Sequence, residues 1–146
     1  MKILVLGGGP DAEREVSINS ATCVSKALES RGHDVDLRII DSLTATALRK
    51  LKGDVILPIL HGRWGEGGPL QDLLVKDGRP FLGAGPAAAR LAMDKLATKS
   101  IAAQIGVPTT VHCVLDPNDD VCPLPLPVVV KPVHEGSTIG LHICRT

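Results

Sequence analysis

Apolar residues recur along this chain with two alternating periods, and the alternation lays out an architecture. Lys2 to Leu6 is a short apolar run that predicts a buried strand, and Gly7-Gly8-Gly9-Pro10 predicts the turn leaving it. After Asp11 the period lengthens to that of a helix. Val16, Ser20, Cys23, Val24, Ala27 and Leu28 fall on one helical face, with Gly32 as the stop and Asp11 and Ser17 as alternative N-caps. Val35 to Ile40 predicts a second strand, Leu43 to Leu51 a short helix capped by Ser42, and Val55 to Leu60 a third strand. Pro69 suits the first turn of a helix whose apolar face is Leu70, Leu73 and Leu74. Phe81-Leu82 predicts a short fourth strand, and the alanine-rich stretch Ala87 to Ile105 a single helix ended by Gly106 with Pro108 beyond. Val107 to Leu115 predicts a strand, Asp116 to Pro127 a proline- and aspartate-rich loop, and Val128 to Val130 and Ile139 to Cys144 two strands around a last loop.

Strands alternating with helices predict an α/β fold with a parallel sheet, whose ligand crevice lies beyond the carboxyl ends of the strands. Two loops sit there, Gly7 to Glu15 and His61 to Gly68. A domain boundary is expected near residues 84 to 92, dividing the chain into 1–88 and 89–146.

Composition narrows the classes of function. Lysine plus arginine balances aspartate plus glutamate at 16 each among 146 residues, so no overall field draws the chain to nucleic acid or an anionic membrane. Trp64 and Phe81 are the only aromatic residues, which leaves no surface for stacking bases. The apolar run after Lys2 is too short for an export signal, and nothing approaches a membrane span, so a cytoplasmic protein is expected. Cys23, Cys113, Cys122 and Cys144 lack the paired short spacings of a zinc site, and reduced thiols are the simplest account of them. No metal-ligating set is assigned.

Four stretches carry candidate chemistry, each with a plain alternative. Gly7 to Ala12 matches G-x-G-x-x-A in a strand–turn–helix setting, as a dinucleotide site requires, but a tight turn explains it as well. Glu13-Arg14-Glu15 puts carboxylates at a helix start, where the dipole favours them; one could also hold a substrate ammonium. His61 to Gly68 has four glycines in eight residues with a histidine, an arginine and a glutamate, a loop costly to order without a geometric purpose. Lys131 ends a β-branched run and is followed by Pro132 and the loop Glu135-Gly136-Ser137-Thr138, a sensible grip for phosphate or a plain hairpin. Lys95 and Lys99 share a helix face, which by itself is a solvated one.

Together these stretches resemble the D-alanine–D-alanine ligase family of the ATP-grasp superfamily. The matching pieces are Gly8-Gly9 with Ala12 to Ser17; Leu60-His61-Gly62 with Gly65-Glu66; Gly83 and Gly85; Met93-Asp94-Lys95 with Lys99; Gly106-Val107-Pro108; and Val130-Lys131-Pro132 with Glu135-Gly136-Ser137. The resemblance implies a Rossmann-like parallel-sheet pre-ATP-grasp domain followed by an incomplete ATP-grasp (α+β) subdomain. It implies that ATP phosphorylates one D-alanine and a second attacks the acylphosphate, giving a peptidoglycan precursor. It places Glu15 on the first substrate's ammonium, with Ser137 hydrogen-bonded to Glu15, and His61 near that substrate's carboxyl group. It places Lys95, Lys131, Ser137 and Thr138 at the ATP phosphates. A homodimer through the first domain is also implied.

Departures from the family pattern are Gly67 where an aspartate is usual, Thr138 for a second serine, and Phe81 for a common tyrosine. The resemblance implies a longer protein, with the Mg2+ ligands beyond residue 146, and hence that this chain alone does not ligate. A non-catalytic ligase-derived binding module or partner subunit is the alternative, and a dinucleotide-binding domain a weaker one, because it leaves Met93-Asp94-Lys95 and Val130-Lys131-Pro132 unexplained.

Overall fold

In the computed structural model, which describes residues 1–146, the first apolar run becomes strand β1 (Lys2–Gly8), buried at every residue after Lys2. It is the middle strand. β2 (Asp34–Ile40) and β3 (Val55–Pro58) pair with it on either side, both parallel. Lys2 stands opposite Asp34 and Gly8 opposite Ile40; on the other edge Ile3 stands opposite Val55 and Leu6 opposite Pro58. A strand with neighbours on both edges and helices on both faces meets no water, so its sequence is apolar without alternation. The expected fourth strand is reduced to one parallel bridge between Phe81 and Ile56.

The pleat divides the core. Ile3 and Val5 point to one side and meet Ala21 of α1 (Arg14–Ser30). Leu4 and Leu6 point to the other, where Leu48 of α2 (Ala45–Lys50), Ile56 and Leu60 join them. Past the short helix α3 (Gly62–Gly65), α4 (Pro69–Asp77) adds Leu70 and Leu74 to that side.

α1 corrects the expected helix face. Ser17, Ala21 and Ser25 are buried, whereas Val16, Cys23 and Ala27 are exposed. A Cβ at Gly7 would stand 2.6 Å from the Ala21 Cβ, so helix and strand approach more closely than large side chains allow. Distance, rather than hydrophobicity, selects the face. Neither Asp11 nor Ser17 is the N-cap; Glu13 holds that position with no side-chain capping bond. Ser17 is instead fully buried, accepts the Gly8 N–H at 2.9 Å and donates to the Ile59 carbonyl. α2 is capped by Thr44 rather than Ser42, through the Ala47 N–H at 3.2 Å.

The single helix expected over 87–105 is two, α5 (Pro86–Met93) and α6 (Lys95–Gln104). They break at Asp94, which adopts extended backbone and accepts the N–H groups of Leu96 at 2.8 Å and Ala97 at 3.0 Å. Aspartate competes with the helix ladder through such local bonds, and here the competition wins. No strand forms over 107–115, where Val107, Val111 and Val114 are exposed and no neighbouring strand exists to pair with. β4 (Val128–Val130) and β5 (His142–Cys144) form an antiparallel pair. β5 starts later than Ile139 because residues 136–141 turn, with Ile139 N–H on Gly136 and Leu141 N–H on Thr138.

Candidate functional site

The glycine turn after β1 is locked from inside. Gly8 and Gly9 take φ of 95° and 99°, and a Cβ at Gly8 would overlap the Ile40 carbonyl. The Gly8 N–H is spent on Ser17, and the Gly9 N–H on Ile40 at 2.8 Å. Neither is free to cradle a phosphate, so the tight-turn reading of the G-x-G-x-x-A match describes it. The Arg14 guanidinium closes the turn, donating to the carbonyls of Gly9 at 3.0 Å and Ile40 at 2.7 Å and pairing with Asp41 at 2.8 Å. What the turn presents outward is Asp11, Ala12 and Glu13.

The histidine loop leans on that turn. His61 is the N-cap of α3 in extended conformation, and Gly62 follows at φ 80°. One Asp11 carboxylate oxygen accepts the N–H groups of Trp64 at 2.9 Å and Gly65 at 3.3 Å. Glu66 accepts the Gly62 N–H at 3.3 Å. The Gly67-Gly68 run does not loosen the loop. Buried Gln71 accepts the Gly68 N–H and donates to the Gly65 carbonyl, both at 3.0 Å. His61 Nε2 is buried without a hydrogen-bond partner. Such a group is costly unless a ligand completes it.

The third piece is the loop after β4. Lys131 leaves the strand exposed. Ser137, the one non-glycine residue with positive φ (50°), donates its hydroxyl to the Glu13 carboxylate. This corrects the expected Ser137–Glu15 bond. α1 begins at Arg14, so Glu15 already sits in the first helical turn and is exposed, while Glu13 keeps non-helical backbone (φ −89°, ψ 17°). Glu13 thereby reaches the loop. Lys95, expected at phosphate, donates its ammonium to the carbonyls of Val133 (3.1 Å) and Glu135 and so holds the loop on α6. Lys99 is bound to Thr110 at 2.7 Å, and Thr138 is exposed. His134 lies 3.4 Å from Asp94. The Asp94 carboxyl is held below the usual carboxylate range, chiefly by the Ala97 N–H, with the Leu96 N–H and His134 adding against desolvation.

An open cleft of about 640 Å³ lies beside these pieces, walled by Asp11, Arg63, Trp64, Arg90, Asp94 and His134, while Glu13, His61, Lys131 and Ser137 do not line it. Sequence reasoning expected Ser137 to bond Glu15, where the structure pairs it with Glu13, and missed Asp11 as the support of the His61 loop. Glu13 gave no decisive local signal, because the sequence offers Asp11 and Ser17 as alternative N-caps and so leaves the helix start open. Asp11 gave no local signal, because its partners are 53 and 54 positions away.

No family model matches the chain. The chain is 40% identical over 150 residues to the D-alanine–D-alanine ligase of Anaeromyxobacter sp. (strain Fw109-5), covering 99% of this chain and 49% of that protein. It is 46% identical over 145 residues to the D-alanine–D-alanine ligase of Pseudomonas entomophila (strain L48), covering 96% and 45%. The fold superposes along 100% of its length on 50% of the crystal structure of D-alanine–D-alanine ligase from Bacillus anthracis, with a TM-score of 0.85 at 28% identity. The chain thus spans about half the length of the curated relatives it matches.

Proposed function

We propose that this chain, which belongs to the D-alanine–D-alanine ligase family by sequence and fold, forms the first-substrate side of an ATP-dependent ligase that makes a peptidoglycan precursor. In this reading the Glu13 carboxylate fixes the ammonium of the first D-alanine, and Ser137 fixes Glu13. The unpartnered His61 Nε2 meets that substrate's carboxylate, the group that ATP phosphorylates and that a second D-alanine attacks through its amine. Lys131 and the Ser137-Thr138 loop face the phosphates, while Lys95 shapes that loop and adds its charge. Phosphoryl transfer is mostly positioning and charge neutralisation, and these are the two things such residues supply.

The observation that carries the reading is the Ser137–Glu13 hydrogen bond, which joins the two ends of the chain at the turn supporting the His61 loop. Magnesium, which the ATP chemistry implies, does not fit these residues, since no three His, Cys, Asp or Glu side chains converge to hold a metal ion. None of the roles above passes through it. The same reading divides the chain at about residue 88, with α5 spanning the division, and includes a homodimer through the first part. No helix is long and apolar enough to cross a membrane, and a cytoplasmic location follows from the proposed substrates.

The test is titration of the isotopically labelled chain with D-alanine, with L-alanine as control. D-alanine is expected to perturb His61, Ala12, Glu13 and Ser137 selectively. No perturbation there, or an equal one with L-alanine, overturns the reading.

A further inference from the structure

We infer that Asp11 is the positioning residue for His61, an inference that rests on the reading of His61 as a substrate contact. A helix of one turn needs its first N–H groups satisfied, and the N-cap side chain ordinarily does this. At α3 the N-cap is His61, whose side chain makes no capping bond and whose Nε2 is left buried and unpartnered. The Nε2 of the imidazole is free for a ligand because the cap comes from elsewhere, while Nδ1 lies 3.9 Å from the Glu66 carboxylate. Asp11 supplies it across 53 positions, accepting the N–H groups of Trp64 and Gly65 with one oxygen.

The fit is close. A Cβ at Gly62 would overlap the Asp11 side chain, so only glycine lets the first turn of α3 seat there, and its φ of 80° is one that glycine favours. Asp11 is itself anchored, because Arg14 fastens the turn that carries it to the Gly9 and Ile40 carbonyls. Two residues further on, Glu13 holds Ser137. The segment Asp11–Glu13 therefore sets the His61 loop with one carboxylate and the Ser137 loop with the other. Removing the first lets the His61 ring turn relative to the second.

The experiment compares Asp11→Ala and Asp11→Asn with the parent chain by NMR, without ligand. Asp11→Ala is expected to speed amide exchange at Trp64 and Gly65 by about tenfold relative to Leu4 and Val5, the scale of a lost helix cap. It is also expected to shift the His61 ring resonances. Asp11→Asn keeps an acceptor oxygen and is expected to restore both. Exchange at Trp64 and Gly65 within about twofold of the parent, or unmoved His61 ring resonances in Asp11→Ala, overturns the inference. Should Asp11→Ala lose protection at Leu4 and Val5, Asp11→Leu, close to aspartate in shape but without an acceptor, carries the same comparison. D-alanine separates this inference from the functional reading. Silence at His61 in the parent removes the substrate role and leaves the capping role to be decided by the ring resonances. An equal response in parent and Asp11→Ala overturns the positioning role.

Discussion

Ser137 donates its hydroxyl to the Glu13 carboxylate across 124 positions of sequence, closing the last loop of the chain onto its first turn. Glu15, two residues away and also at the start of α1, takes no part in this bond. The difference predicts function. On the proposed function, Glu13→Gln is expected to weaken D-alanine binding to this chain by about tenfold to a hundredfold, the scale of a lost charged hydrogen bond. Glu15→Gln is expected to change it little. Equal losses, or the reverse order, measured by titration calorimetry with D-alanine, would move the proposed ammonium contact to Glu15.

Arg79 fastens the backbone that runs from α2 toward β3. Its guanidinium donates to the carbonyls of Leu48 (3.0 Å), Leu51 (2.8 Å) and Gly53 (3.3 Å) and pairs with Asp77 at 2.5 Å. The Asp77 side chain is only 4% exposed, so losing its partner strands a buried charge. Arg79→Ala is expected to destabilise the fold by about 2–4 kcal/mol in urea denaturation. A change below about 0.5 kcal/mol would show the cluster to be ornamental.

The same pair sets an acid dependence. The Asp77 carboxyl is held below the usual carboxylate range, first by its hydrogen bond from Arg79 and then by the charges of Arg79 and Arg49, against desolvation. A folded-state value below the unfolded one contributes stability that is present above about pH 4. That stability is lost as pH falls through the folded-state value. Asp77→Asn is therefore expected to flatten the loss of stability below about pH 4, read as the urea midpoint at pH 3 against pH 6. An unchanged slope would place the acid sensitivity elsewhere.

Gly7 lies where α1 crosses β1, and an alanine there would put two Cβ atoms 2.6 Å apart at Ala21. Gly7→Ala is expected to cost about 1–3 kcal/mol through overpacking. Gly32→Ala serves as a comparison at a glycine with open space around it, although its φ of 82° disfavours alanine in its own right. A cost at Gly7 no larger than at Gly32 would rule out close packing as the cause.

Residues 107–127 contain no helix or strand, while β1 is buried with partners on both sides. Hydrogen exchange is expected to be slow over Ile3 to Leu6 and fast over 107–127. Uniform protection through to Cys144 would contradict the fold as described.

Much of this was legible in the sequence wherever the signal is local. The apolar runs at Lys2, Val35, Val55 and Val128 predicted strands, Pro69 opened a helix, and His61, Lys131 and Ser137 stood out by their chemistry. Local composition misled where a single side chain outweighed its neighbours. Asp94 split a helix that alanine content favoured, and the valines of 107–114 found no strand to pair with.

By itself, then, the sequence determined the strands at Lys2, Val35, Val55 and Val128 and the helix opened by Pro69, and which residue types could grip an amino acid and a phosphate, because periodicity and side-chain chemistry act within a few residues. Only the tertiary structure decided that Glu13 rather than Glu15 meets Ser137, that Ser17, Ala21 and Ser25 face the sheet, and that Asp11 caps a helix 53 positions away. Those choices follow from one-residue differences in helix start and from how closely two backbones approach. Both are fixed only when distant parts of the chain pack together.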